Sequence, residues 1–353
     1  MKKLLLSFLP ALFASLFFVP GLNADHMSFT EGLANLDSVE DSKTFASIYG
    51  RAEVDDEIDH LSIAYRFNMN STNDIDGAND NNFSRLGLYV KVFNHNAPND
   101  AIPFKELIFQ LNGEVTLIGI YDLYFRLNDV SITLDQADEL MTADAQDFKN
   151  MLKPFQNTWY HINLAQLDQT TYGQDVPAEV YQEWESELEG DPRDLIMSSF
   201  EYAYRSQTSA FLTEEQIQTN LEAFASVFES QFFNVRQVIS GPNTGFDFYY
   251  LNRVKLANWI EDIAVKMGNP MPEADIIQMR EDLGKITLSG IYRVDQASGL
   301  LDNFLVRFKL REVSELNSLE FNYRVKLADP NKNNVVSAPV TFIEFETAME
   351  SQM

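Results

Sequence analysis

The sequence predicts an α+β fold, in which one large, curved antiparallel sheet forms a half-barrel and helices pack across its concave face. Apolar and polar residues alternate over long stretches, which is typical of strands with one buried and one solvated face. These stretches fall in two blocks, residues 61–127 and 288–327, and helix-like segments lie between them. Separate blocks of strands and helices indicate α+β rather than α/β architecture.

The first block predicts four strands. Apolar residues occupy every second position in 61–69, 86–92, 107–111 and 117–127. Polar residues at 73–77 predict a turn after the first strand, and Asn112-Gly113 predicts a turn between the last two.

The second block predicts three strands, which follow the same alternation. They cover 288–294, 304–310 and 319–327. Segments 295–299 and 329–333, rich in Asp, Asn, Gly and Pro, predict the turns that follow the first and the last of these strands.

The helix-like segments show apolar residues at helical spacing or helix-capping residues. They cover 134–153, 177–189, 191–204, 213–228, 252–268 and 273–283. Thr213 and Gln216 form a capping-box pattern at the start of the fourth helix. Gly268 is the predicted C-terminal cap of the fifth helix.

The N-terminus predicts a secretory signal peptide over residues 1–24. Lys2 and Lys3 precede an apolar run at 4–19, and small residues follow it. This run is shorter than the ~20 apolar residues that span a bilayer, so we expect cleavage, after Gly21 or Ala24. The expected location is the periplasm or the cell exterior.

The rest of the chain, 25–353, predicts a single α+β half-barrel domain with a helical insert at about 165–231. The hydrophobic fraction of 45% is enough for a core and excludes a wholly disordered chain. The net charge of −27 excludes nucleic acid as a partner and disfavours anionic lipid surfaces.

Cysteine is absent from the sequence, which excludes disulfide bonds and thiol catalysis. A bacterial lipoprotein carries its lipid on a Cys directly after the signal peptide. We therefore expect the cleaved protein to have no stable membrane anchor.

No catalytic residue, metal ligand or cofactor is predicted, and we expect the protein not to be an enzyme. The four histidines lack zinc-site spacing, and neither a Gly-x-Ser-x-Gly motif nor a glycine-rich phosphate loop occurs. His60 and His161 are expected on polar strand faces. Segment 73–80 resembles a calcium loop, but Phe83 stands where an EF-hand requires an acidic ligand.

Large side chains on the apolar strand faces are candidates for the lining of a ligand cavity between sheet and helices. They are Phe109, Leu117, Tyr121, Phe125, Phe308, Phe321 and Tyr323. The alternative is that these residues form an ordinary filled core.

Two stretches carry a family resemblance. In the first, strand 121–127 is followed by a short helix and by the Trp-containing segment 154–164; in the second, 233–238 and 245–251 precede the helix at 256–259. This order resembles the LolA/LppX-type carriers of bacterial envelopes. The resemblance implies a half-barrel that shelters an acyl chain or the lipid part of a lipoprotein.

Three functions are compatible with these patterns. The first is a non-enzymatic extracytoplasmic carrier or sensor of a hydrophobic ligand such as a lipid or an acyl chain. The second is a surface protein that binds a protein partner through the insert at 165–231. The third, a hydrolase, would need two carboxyl groups about 5–10 Å apart in an open cleft.

Overall fold

A computed structural model describes most of the chain between residues 41 and 345. The described residues are 41–55, 60–76, 79–99, 101–119, 122–164, 201, 204–205, 212–225, 232–241, 244–266, 268, 270–295, 300–313, 316–328 and 334–345. The predicted signal peptide, the predicted helix at 177–189 and nearly all of that at 191–204 lie outside them, as does most of the insert at 165–231.

Twelve strands are described. They are β1 (Asp41–Asp55), β2 (His60–Asp76), β3 (Asn79–Asn94), β4 (Glu106–Ile118), β5 (Asp122–Asp135), β6 (Tyr160–Asn163), β7 (Phe233–Gly241), β8 (Thr244–Leu251), β9 (Ile286–Val294), β10 (Leu301–Val313), β11 (Leu316–Ala328) and β12 (Ile343–Glu344). The described α-helices are α1 (Glu139–Leu152), α2 (Glu214–Ala225), α3 (Arg253–Lys266) and α4 (Glu273–Gly284). A short 3-10 helix, Lys153–Phe155, follows α1.

The chain divides into two compact units. Residues 34–174 and 300–353 belong to the first, which we call the sheet unit, and residues 175–299 belong to the second, the helical unit. The sheet unit contains β1–β6, β10–β12 and α1, whereas the helical unit contains β7–β9 and α2–α4. The predicted domain boundaries, 25–353 with an insert, stay a prediction.

The sheet unit is built on a large, open, mainly antiparallel sheet, which confirms the predicted α+β fold class. The strand order is β12-β6-β5-β4-β3-β2-β1-β11-β10. All neighbours are antiparallel except β12 and β6, which pair in parallel through two residues each.

The strand register collects the apolar positions on one side of this sheet, which we call the apolar face. Residues paired across antiparallel strands have side chains on the same face. One row of partners runs Phe308, Phe321, Gly50, Tyr65, Val90, Phe109 and Ile132. The next runs Val306, Tyr323, Ile48, Phe67, Leu88, Leu111 and Val130. The apolar face is therefore continuous across seven strands.

The opposite side is polar, as the alternation predicts. Glu114 is 7% exposed and accepts hydrogen bonds from Arg85 Nε at 3.2 Å and Arg126 Nε at 2.9 Å. The Arg126 guanidinium lies over the Trp159 ring, 4.9 Å from its centroid. On β11, a hydrogen bond from Asn322, helped by Lys309, lowers the pKa of Glu320.

The predicted turn at Asn112-Gly113 is wrong. Both residues lie inside β4, and the pairing with β5 shifts there, from Asn112–Asp129 to Gly113–Leu127. Glycine serves bulges as well as turns, and here it marks a bulge that leaves one extra residue on β5. The chain turns after β4 instead, beginning at Gly119, whose φ is +58°.

Two further boundaries differ from prediction. β2 extends through Asp76 and pairs with β3 from Asn79, so that most of the predicted turn at 73–77 is strand. Leu134, the predicted start of a helix, is still in β5. The helix begins at Glu139 because Asp138 caps it, its side chain accepting a 2.7 Å hydrogen bond from Met141 N.

The helical unit has its own core. β7, β8 and β9 are antiparallel, and the stacked rings of Tyr249 and Tyr292 join the last two at a centroid distance of 4.9 Å. Trp259 of α3 packs edge-on against Phe232. The predicted capping box of α2 is confirmed, because Thr213 N donates to Gln216 Oε1 and Gln216 N donates to Thr213 Oγ1.

Within the described residues, no helix has the length and the apolar composition that crossing a membrane requires.

Candidate ligand-binding face

The structure places six of the seven predicted lining residues on the apolar face of the sheet unit. Phe109 and Leu117 lie in β4, Phe125 in β5, Phe308 in β10, and Phe321 and Tyr323 in β11. The seventh, Tyr121, lies outside the described residues.

These residues are spread over the face rather than gathered in one pocket. Phe308 and Phe321 are direct cross-strand partners. Phe109 lies in the same row, but four strand spacings of about 4.8 Å, roughly 19 Å in all, separate it from Phe321. The candidate site is therefore an extended surface.

This surface is only partly covered. Phe308 is 5% exposed, whereas Phe109, Leu117, Phe125, Phe321 and Tyr323 are half-buried. The partial burial of Tyr323 raises the pKa of its hydroxyl. Half-buried aromatic side chains in a continuous row leave apolar area that a ligand can cover.

Helix α1 lies over one end of the apolar face. The Phe148 ring is 6.3 Å from the Phe109 ring, measured between centroids. No residue of α1 is buried, and Leu140, Phe148 and Met151 are 71%, 42% and 58% exposed. The helix thus contacts the face without closing it.

A cleft of about 380 Å³ opens between α1 and the end of β5. Its floor contains Ile132 and Leu134, which are cross-strand partners of Phe109 and Leu107 and so belong to the apolar face. The remaining lining residues are Gln136, Ala137, Thr142, Ala145, Gln146 and Lys149. The volume lies within the ~300–1,000 Å³ that ligand pockets usually have.

Sequence reasoning missed these cleft residues because it began the helix at Leu134. Their helical spacing could have revealed some of them. Ala145, Gln146 and Lys149 follow Thr142 in α1 by three, four and seven positions, which places all four on one side of the helix. Gln136, in the connection between β5 and α1, has a φ of +47°, which is rare for a residue other than glycine.

An aromatic cluster borders the apolar face at the β6 edge. Phe125 stacks with Tyr160 at 5.7 Å and meets the edge of Phe345 at 5.6 Å. Phe155, in the 3-10 helix, contacts both Tyr160 and Phe345. Phe125 is therefore part of this packed border as well as of the face.

Small polar residues border the face near Leu117. The hydroxyls of Ser71 and Ser84 are 2.8 Å apart and buried, and Asn73 Nδ2 donates to Ser42 Oγ. Asp74, from the calcium-like segment, accepts a 2.7 Å hydrogen bond from Val336 N. No group of three or more potential metal ligands occurs among the described residues.

Both strand histidines lie on the polar face, as predicted. His60 begins β2, and its ring lies 4.2 Å from the His95 ring at an interplanar angle of 33°. The His161 ring lies between two carboxylates, with Nδ1 2.9 Å from Glu344 and Nε2 3.0 Å from Asp122.

Comparison with known proteins reveals little. No protein-family model matches the chain, and no curated protein sequence matches it. One solved structure with partial likeness is a β-barrel-like protein of a domain of unknown function, DUF1849, from Brucella abortus. It is 8% identical, the match covers 81% of this chain and 98% of that one, and the TM-score is 0.14. So low a score supports no argument about function, and the resemblance to LolA/LppX-type carriers stays a prediction.

Proposed function

We propose that the protein is a non-enzymatic extracytoplasmic carrier or sensor of a hydrophobic ligand, a lipid or an acyl chain. The supporting observation is the continuous apolar face, which spans seven strands and is only partly covered. The resemblance to LolA/LppX-type carriers belongs to the same proposal, as does export through residues 1–24.

The physical basis is the hydrophobic effect. Each Å² of apolar surface removed from water contributes about 25 cal/mol, so that an acyl chain covering ~200 Å² of the face gains roughly 5 kcal/mol before its ordering cost. Binding of this kind needs shape and apolar area rather than a catalytic group.

The two alternatives stay hypotheses. The insert at 165–231, through which a protein partner would bind, lies mostly outside the described residues. The hydrolase hypothesis requires a pair of carboxylates in a cleft, and the described lining of the cleft beside α1 contains no carboxylate.

Ligand extraction tests the proposal directly. Protein purified from its native envelope, extracted with organic solvent and analysed by lipid mass spectrometry, is expected to release a defined lipid in near-stoichiometric amount. Absence of such a lipid, together with no binding of a fluorescent fatty acid or its ester, would overturn the proposal.

A matched pair of variants tests the location of the site. Phe109→Asp places a charge on the apolar face, whereas Gln110→Asp places the same charge on the polar face of the same strand. We expect Phe109→Asp to weaken binding of the fluorescent ligand at least tenfold and Gln110→Asp to leave it within twofold. Phe109→Ser provides a milder change if Phe109→Asp fails to fold, and circular dichroism reports the folding of each variant.

Equal binding by the folded Phe109 variants and Gln110→Asp would contradict a site on the apolar face beside α1.

A further inference from the structure

We propose that the cleft between α1 and β5 binds the head group of a long-chain fatty acid, with Lys149 recognising the carboxylate. This inference rests on the proposed function, because it names the ligand class of the same apolar face. It follows from the chemistry of the floor and the rim of the cleft.

The floor of the cleft is apolar. It is formed by the side chains of Ile132 and Leu134, and Ala137 and Ala145 add further apolar lining. The register joins this floor to the middle of the apolar face, because Ile132 is the partner of Phe109 and Phe109 is the partner of Val90. An acyl chain that leaves the cleft along this row stays on apolar side chains.

The rim is polar and carries one cation. Thr142 Oγ1 donates to the backbone oxygen of Asp138, and Gln146 Nε2 donates to Asn150 Oδ1 at 3.0 Å. Gln146 keeps a second amide N–H, because a primary amide carries two. Lys149 is exposed and lines the cleft, so its ammonium group is accessible to an anion.

The charge of the cleft is opposite to that of the chain. The sequence has 53 acidic and 26 basic residues, yet the described lining contains one lysine and no Asp or Glu. A single ammonium group beside amide donors suits one carboxylate, since a hydrogen bond between two charged groups is about twice as strong as a neutral one. Phosphate head groups are more often bound by arginine forks or by several cations.

A ligand with an apolar tail and a single negative head group matches both the floor and the rim. A neutral lipid would use the floor and leave Lys149 without a partner. A fatty acid uses the floor, the row through Phe109 and the ammonium group together.

Two fluorescent ligands with the same chain test the inference: cis-parinaric acid and its methyl ester. The wild-type protein is expected to bind the acid about fivefold more tightly than the ester, because only the acid forms an ion pair with the exposed ammonium group of Lys149. Lys149→Gln should reduce this preference to less than twofold while leaving the dissociation constant of the ester within twofold.

Lys149→Arg, which preserves the charge, should retain most of the preference for the acid. Lys153→Gln is the matched control, because Lys153 lies one turn further along, in the 3-10 helix, and does not line the cleft. That variant should behave as wild type.

The outcomes separate the two proposals. Tight binding of both ligands with no preference for the acid, or a preference that survives Lys149→Gln, would overturn the role of Lys149 and leave the carrier function standing. Failure to bind either ligand would count against the carrier function itself.

Discussion

At the scale of single residues, Gly50 is the described glycine at which an added Cβ atom would meet its neighbours most closely. It lies in the row of Phe321 and Tyr65, and the Tyr65 hydroxyl crosses it to donate a 3.1 Å hydrogen bond to the backbone oxygen of Glu320. A Cβ atom at Gly50 would overlap that oxygen and the Tyr65 ring. Burial of the Tyr65 hydroxyl and the nearby charge of Glu320 raise its pKa, so it remains a donor at neutral pH.

Gly50→Ala is therefore expected to destabilise the sheet unit by about 3 kcal/mol, because backbone and ring must both move. Gly87→Ala is the control, since the nearest atom to its added Cβ is the Asn112 side chain at 3.3 Å; we expect less than about 1 kcal/mol. Urea unfolding followed by circular dichroism measures both. Equal stability of the two variants would show that Tyr65 and β11 move aside without cost.

At the scale of elements, the sequence predicts where strands occur better than it predicts the residues at which they begin and end. Alternation located β2, β3, β10 and β11 because large apolar residues mark one face. It overlooked β1, whose positions on that face include Thr44, Ala46, Gly50 and Ala52. These small side chains alternate weakly in hydrophobicity, although the strand they form is central to the sheet.

The candidate site shows the same division between local pattern and tertiary arrangement. Alternation identified Phe109, Phe308 and Phe321 as residues of one face, because period two is a local property of a strand. It could not indicate that they lie up to five strand spacings apart, since strand order depends on tertiary pairing. The cleft residues depended on the exact end of β5, and the cap at Asp138 sets that end.

Strand β12, the shortest of the described strands, lies at the edge of the sheet beside β6. Ile343 N donates to Trp159 O at 2.9 Å, Glu344 binds His161, and Phe342 meets the edge of the Tyr124 ring. The Glu344 carboxylate lies 2.9 Å from His161 Nδ1, so this side-chain contact adds to the backbone hydrogen bond of Ile343.

Glu344→Gln is accordingly expected to loosen β12 without unfolding the sheet. Loss of one partly exposed side-chain hydrogen bond costs about 0.5–1 kcal/mol, so the Ile343 amide should exchange its hydrogen roughly two- to fivefold faster. Hydrogen exchange followed by mass spectrometry measures this change in the peptide that contains 342–345. Glu53→Gln, an exposed β1 carboxylate with the same charge change, is the control, and equal exchange in both variants would contradict the role of the His161 contact.

At the scale of the whole molecule, two electrostatic effects oppose each other. The net charge of −27 destabilises a compact chain through self-repulsion, which salt screens. Ion pairs such as Glu114 with Arg85 and Arg126 stabilise it, and salt weakens them too. The side chains of Glu114 and Arg126 are 9% and 32% exposed, and such partly buried pairs are screened much less than exposed charges.

Repulsion among exposed carboxylates should therefore dominate the salt dependence. Between ~10 mM and ~150 mM NaCl the Debye length falls from about 30 Å to about 8 Å, which removes most long-range repulsion and leaves close pairs largely intact. We expect the melting temperature to rise by several degrees over this range, measured by calorimetry. The dissociation constant of the neutral ester should change little over the same range, because apolar contacts account for its binding. A melting temperature that falls with salt would instead mean that exposed ion pairs outweigh the repulsion of the excess acidic residues.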